Sequence, residues 1–479
     1  RSCSIRAEGD EMDDIANLDI AGAAKAITSK SLTSIELTEH MVRRIALVDP
    51  HLKAFGEVLA DKARESARAA DAEIGNGRHR GPLHGVPIAI KALYDVKGVR
   101  TTSCSKVRQD YVSSADSTVV RKLKEAGAVI LGIVTTHEFA FGFDSVPTRN
   151  AWNVDHIPSG SSGGTGAAVA AGLCFAGTGT DTGGSIRAPA AVNGIAGIKP
   201  SYGRVSKAGV TVLSWSLDHA GPMARTTSDL AILLGTMSGV DLKDPHTKNV
   251  PVPDYTKALV GDVRGMRIGV PTNYFFDDVQ PAVGDAVTEA VWRLEKMGAT
   301  IVPIAIRGID GLIDSWLPIA IAEAATYHQQ NFRAKADLYG DDVRFLLEAG
   351  ELTLATTYIN AQRVRFSFKS SLKETMRDID VIVTPTLPNT AMKAGEKTIK
   401  IGSKEESVFE VSARFCAPFN MAGLPAASIP CGFSPNGLPI GLQIVGKPFD
   451  ETTVLKLAYA FERDTDYHLR RPRLPGLNH

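Results

Sequence analysis

Two serine-bearing loops and one lysine are the groups in this 479-residue chain whose types and spacing could do chemistry. The first loop reads Thr178-Gly179-Thr180-Asp181-Thr182-Gly183-Gly184-Ser185-Ile186-Arg187. Its small residues and paired glycines let the backbone turn tightly with its N–H groups pointing one way. A hydroxyl at that place stands beside free backbone donors, which is what acyl transfer needs: a nucleophile next to an oxyanion hole. The plain alternative is a glycine-rich turn with an N-capping serine. The loop alone leaves both open.

The second loop is Pro158-Ser159-Gly160-Ser161-Ser162-Gly163-Gly164-Thr165, which contains a G-x-S-x-G match centred on Ser162. A nucleophile elbow needs a buried strand directly before it, and residues 149–157 are polar and irregular. Asp218-His219, adjacent in sequence, suits a turn better than a catalytic relay. No Gly-Lys-Ser/Thr follows, so a phosphate cradle is excluded, and His137-Glu138 lacks the second histidine of a zinc protease. The third element is Lys91, at the end of the run Gly85-Val86-Pro87-Ile88-Ala89-Ile90-Lys91. A lysine there either snorkels to water or is held inside, and the strand by itself favours snorkelling. Held inside, it would shed its charge and become a competent general base.

The elements that must position these groups alternate in texture. Helical spacing runs from Leu18 to Ile27 and from Ile35 to Val48, the second ending at Asp49-Pro50. A charged helix covers about residues 60–74. Val86–Ile90 and Ala128–Val134 read as buried strands around a helix from Ser117 to Glu125. Thr227–Met237 is a helix, and Lys243–Pro253 a surface linker. Met266–Val270, Ala282–Met297 and Ala299–Ile304 resume strand, helix and strand. Residues 310–376 are helical in pattern. Val381–Val383, Ala426–Pro430 and Pro439–Val445 are further strands, before a last helix from about Thr452 to Glu462. The rhythm predicts an α/β chain with a parallel or mixed sheet.

Taken together, Gly85–Lys91, Pro158–Gly172, Gly179–Pro189, Gly197-Ile198-Lys199-Pro200, Gly203-Arg204-Val205-Ser206 and Leu424-Pro425-Ala426 resemble the amidase signature family. The resemblance spans about residues 15–465, and the two serines are separated by that family's interval, 185 − 161 = 24. It implies one large α/β domain with a central mixed sheet flanked by helices on both faces. Within it, residues 1–80 would be a helical segment packed on the core and 81–240 the signature core. Residues 241–479 would complete the domain, with a pocket-shaping helical region at about 310–376. It also implies Ser185 as nucleophile, Ser161 as a proton bridge held by a cis peptide, and Lys91 as the base. The N–H groups of Thr182, Gly183, Gly184 and Ser185 would form the oxyanion hole, with Gly160, Ser162, Asp181 and Arg187 as loop support. Three departures from the family pattern leave those positions untouched: Ala92 after the lysine, Ser159 before the serine pair, and Ile133-Val134-Thr135.

The expected reaction is cleavage of a small to medium uncharged amide, ester or carbamate, with no cofactor and no metal. Two other readings stand beside it. One is the glutaminase component of a glutamyl-tRNA amidotransferase, its A subunit, which typically has glutamine where this chain has Ala188. The other is a silent scaffold member, weakened by the retention of Lys91, Ser161 and Ser185. Lys plus Arg and Asp plus Glu are 53 each, which gives no electrostatic grip on nucleic acid or an anionic membrane. Five scattered cysteines without a C-x-x-C pair argue against a disulfide framework or zinc ribbon. Cys104, in Thr101-Thr102-Ser103-Cys104-Ser105, is expected as a small buried hydrophobe, with a place lining the site as the alternative. Residues 1–14 carry no signal-peptide pattern and no run is long enough to span a membrane. A cytoplasmic monomer or homodimer is the expectation.

Overall fold

Short apolar runs become strands where both faces are covered, and the computed structural model, which describes residues 15–476, follows that rule. The strands are β1 (Phe55–Val58), β2 (Pro87–Lys91), β3 (Val129–Val134), β4 (Ala176–Asp181), β5 (Ala196–Lys199), β6 (His219–Ala224), β7 (Arg267–Pro271), β8 (Thr300–Ile304), β9 (Val381–Pro385), β10 (Thr398–Ile401), β11 (Lys404–Ser407), β12 (Ala426–Phe433) and β13 (Pro439–Gly446). Eleven of them form one sheet in the order β1-β3-β2-β4-β6-β5-β12-β13-β9-β7-β8, while β10 and β11 pair separately. Each flank carries a parallel β–helix–β unit: β2 and β3 are joined through the helix Thr118–Glu125, β7 and β8 through Pro281–Lys296. The middle, from β4 to β9, is antiparallel. The sheet is therefore mixed, in one large domain flanked by helices.

β4 is an unusual central strand. Its sequence, Ala-Gly-Thr-Gly-Thr-Asp, has little side chain to pack, yet all six residues are buried. Smallness is what the position demands, because a Cβ on Gly177 would sit 2.7 Å from the Thr165 methyl carbon of the helix Gly163–Ala170. That helix can thus lie directly on the strand, which brings its own N-terminal serine pair beside the end of β4.

Two local expectations give way. The helix expected to stop at Asp49-Pro50 runs Ser34–Leu52 and closes with Lys53 in the left-handed region. Proline removes one N–H but does not forbid a final turn. Burial of Val48 and Leu52 holds that turn on the core, and the Asp49 carboxylate takes the Ala54 N–H at 2.8 Å. Asp218-His219 is no turn either: His219 opens β6 and pairs opposite Asp181. Residues 310–376 are three helices, Leu312–Lys335, Asp341–Glu351 and Ala355–Thr375. Cys3 and the charged stretch 1–14 lie outside the described residues.

Candidate active site

Lys91, the last residue of β2, is fully buried rather than snorkelling. Its backbone N–H donates to Thr178 Oγ1 at 3.0 Å, which locks the strand end onto β4. Its Nζ lies 2.8 Å from each of three hydroxyls, Ser161 Oγ, Ser162 Oγ and Thr180 Oγ1. Burial drives the ammonium well below its usual range, against the opposing charges of Asp181, Asp218 and Cys104. A neutral amine has two N–H donors and one lone pair, so one of the three hydroxyls must donate to it. Ser162 donates instead to the Thr180 carbonyl at 3.3 Å. That leaves Ser161 and Thr180 as hydroxyls able to face the lone pair.

Ser161 follows a cis peptide bond from Gly160. Its carbonyl accepts the His137 N–H at 3.1 Å and the Ser145 hydroxyl at 3.0 Å. Ser145 also accepts the Gly163 N–H at 3.1 Å, so one hydroxyl clips both ends of the serine pair. Ser162 donates its N–H to the Ser185 carbonyl at 3.2 Å, which ties the two serine loops together. Residues 149–157 are an irregular loop, so the G-x-S-x-G match is not an elbow.

The Ser185 loop is organised by Asp181. Its carboxylate accepts from Gly184 N (2.9 Å), Ile186 N (3.2 Å), Arg187 Nε (3.0 Å) and the Asn420 amide (2.8 Å), and pairs with the Arg187 terminal nitrogen at 2.9 Å. Burial opposes its ionisation, yet Arg187, Lys199 and Asn420 together hold the carboxyl well below its usual range. Arg187, also fully buried, continues to the Cys416 carbonyl (3.0 Å), Gln443 (2.6 Å) and Asn420 (2.6 Å). Gly184 adopts φ +137°, a region closed to other residues. Of the four expected oxyanion donors, the Gly184 N–H is thus taken by Asp181. The N–H groups of Thr182, Gly183 and Ser185 have no acceptor among the described residues, and neither has the Ser185 hydroxyl a partner there. Thr182 is pinned on its other side, donating its hydroxyl to Asp218 at 2.6 Å.

His219 does not complete a relay. Burial, reinforced by Lys199, pulls it well below its usual range, and its Nδ1 lies 2.7 Å from the Leu217 carbonyl. Cys104 departs from expectation: the residue is exposed while its sulfur turns inward to accept the Thr136 N–H at 3.4 Å. Burial of that sulfur pushes the thiol upward. Sequence reasoning missed Thr180, Ser145, Asp218 and Asn420. Only Thr180 left a signal, because alternation along β4 puts Thr178 and Thr180 on one face of that strand. Among the described residues no group of His, Cys, Asp and Glu is arranged to hold a metal ion, and no helix is long and apolar enough to cross a membrane.

The family model for amidases matches residues 36–455. The chain belongs to the amidase signature family. An amidase from Pseudomonas putida is 42% identical to it over 468 residues, covering 97% of this chain and 100% of that protein. The A subunit of a glutamyl-tRNA(Gln) amidotransferase from Roseiflexus sp. (strain RS-1) is 40% identical over 486 residues, covering 96% of this chain and 98% of the relative. The solved structure of a bacterial aryl acylamidase of the amidase signature family superposes with a TM-score of 0.88 at 26% identity, covering 96% of this chain and 100% of the other. Membership of the amidase signature family makes this chain a hydrolase of amide carbon–nitrogen bonds.

Proposed function

We propose that the protein hydrolyses a small to medium uncharged amide, ester or carbamate through an acyl-enzyme on Ser185. Neutral Lys91 takes a proton from Ser161, which takes one from Ser185 as its oxygen attacks the carbonyl carbon. The oxyanion is received by the free N–H groups of Thr182, Gly183 and Ser185. Ser161 then returns a proton to the departing amine, and water releases the acid by the same path in reverse. The observation that carries this reading is the buried Lys91 Nζ at 2.8 Å from Ser161 Oγ. The Ser185 hydroxyl is unpartnered among the described residues, its loop is tied to the Ser161 loop by the Ser162 N–H on the Ser185 carbonyl at 3.2 Å, and catalytic hydrogen bonds of this kind tighten when substrate binds.

A second reading, the glutaminase component of an amidotransferase, is favoured by the 40% identity to such a protein. The buried Ala188, where that component typically carries glutamine, speaks against it. Intact-mass measurement of enzyme treated with a slowly deacylated activated ester tests the first reading. A single acyl adduct is expected, lost in Ser185→Ala. An adduct that persists in Ser185→Ala rejects it, while glutamine hydrolysis with a copurifying partner would favour the second.

A further inference from the structure

We infer that the amide cleaved here carries an uncharged aromatic or similarly flat apolar group, held by a wall of three rings, Phe143, Phe409 and Trp316. This rests on the serine reading above and names the substrate class for the same site. The rings connect the two loops that carry the chemistry. A Cβ on Gly160, the residue before Ser161, would lie 2.7 Å from the Phe143 carbonyl carbon, so the Phe143 backbone is pressed against the Ser161 loop. A Cβ on Gly183 would fall on the Trp316 ring, and the Trp316 indole N–H donates to the Thr182 carbonyl at 3.0 Å. Trp316 is thereby fixed in orientation against the Ser185 loop. Phe409 bridges them, with ring centroids 5.3 Å from Phe143 and 5.8 Å from Trp316. Phe143 and Trp316 are buried, whereas Phe409 is partly open to solvent, so one ring of the wall can meet an incoming group.

The surroundings favour an uncharged ligand. Leu217, Ile319, Ala413 and Phe415 belong to the same apolar cluster. The charged groups at its border are largely committed, the buried Arg414 Nε being the nitrogen left without a hydrogen-bond partner among the described residues. Arg414 pairs with Glu406 at 3.1 Å and donates to the Asp278 carbonyl at 2.6 Å. Arg365 donates to the Met421 carbonyl at 2.8 Å and to Ser216. Glu323 is taken by Ser214, Ser216 and Tyr358. A substrate bearing a free carboxylate would meet Arg365 only in competition with its present partners, and at Arg414 would find only the buried Nε unoccupied. Asp144, next to Phe143, leaves one buried carboxylate oxygen without a partner among the described residues, which makes a cationic amide the competing class.

The test is kcat/KM on phenylacetamide, propionamide, L-glutamine and 4-aminobutyramide, for wild type, Ser185→Ala, Phe409→Ala and Phe409→Leu. Phenylacetamide is expected to lead. Its advantage over propionamide should fall roughly 10- to 100-fold in Phe409→Ala, chiefly through KM, with Phe409→Leu between the two. Because the readout is a ratio within one variant, partial loss of folded enzyme cancels. A ratio untouched by either Phe409 variant, or a preference for glutamine or 4-aminobutyramide, overturns the ring wall while leaving Ser185-dependent hydrolysis intact. Turnover that survives in Ser185→Ala overturns the serine reading instead, and no turnover of any of the four overturns both.

Discussion

Replacing Asp181 by asparagine removes the charge on which the Ser185 loop is built. Arg187 would keep its cation at a site with no solvent exposure. Breaking a buried, hydrogen-bonded pair by deleting one partner costs about 3–5 kcal/mol. The unfolding entropy of roughly 2.1 cal/mol/K per residue, over 479 residues, is about 1 kcal/mol/K. Tm should therefore fall by about 3–5 °C. The Asp181 carboxyl is held well below its usual range. Its contribution is thus fully present above the unfolded carboxyl's pKa of about 3.9 and is lost only as pH falls through the folded value. The deficit should be constant from pH 6 to 9. Activity should fall further than stability, since Gly184 and Ile186 each donate to a different carboxylate oxygen and asparagine keeps only one acceptor, so one of the two N–H groups loses its partner and the loop shifts. A loss of about 10²- to 10³-fold in kcat is the scale set by removal of one oxyanion-hole donor. The assay is differential scanning calorimetry with kcat on one amide, for Asp181→Asn, Arg187→Met and the double variant. Removing both charges should recover part of the lost Tm. A single variant within 1 °C of wild type, or a double variant as unstable as the sum of the singles, would refute the reasoning.

Three further outcomes follow from the same geometry. Because burial lowers the Lys91 ammonium, kcat/KM should rise with pH through one ionisation below the usual lysine value of about 10.4 and stay high in mild alkali; Lys91→Arg should be inactive, and a rising limb unchanged in Lys91→Ala would remove the lysine from the mechanism. Ser161→Ala should slow amides far more than activated aryl esters, whose phenolate leaves without a proton, so equal losses on both would confine Ser161 to acylation. Asp229 is pushed up to about 7 by burial and by Asp19, so the native state binds more protons than the unfolded chain between about pH 4 and 7; stability should fall over that window by about 4 kcal/mol at most and level off above it. Asp229→Asn should flatten that slope, read as Tm at pH 5 and pH 8.

The residues with chemistry were legible because they sit in strongly marked local sequence. Glycine pairs frame both serine loops, and Lys91 ends an apolar run flanked by turn residues. Most strands were legible for the same reason, as short apolar segments at regular intervals. What the sequence withheld are partnerships between distant segments. Nothing near Lys91 reveals that Thr180 and Ser162 close over its amine, so the strand alone argued for snorkelling. Nothing near Asp181 points to Asn420, 239 positions away. β4 lacks apolar bulk, and β6 opens on His219 straight after Asp218, so both hide from patterns that reward hydrophobic runs. The helix through Pro50 ran on because buried leucine and valine outweighed a missing N–H, a balance visible only once the core is known.

The reach of Arg187 to Asn420 and Gln443 also orders events in the life of the chain. While the residues up to β9 emerge from the ribosome, Ser185 and Lys91 are already synthesised, but the carbonyl and amides that seat Arg187 are not. β5 likewise waits for β12 to supply its second neighbour. A nascent or prematurely terminated chain thus holds Lys91, Ser161 and Ser185 without the groups that brace Arg187, so the loop around Ser185 gains its full set of contacts only late in translation.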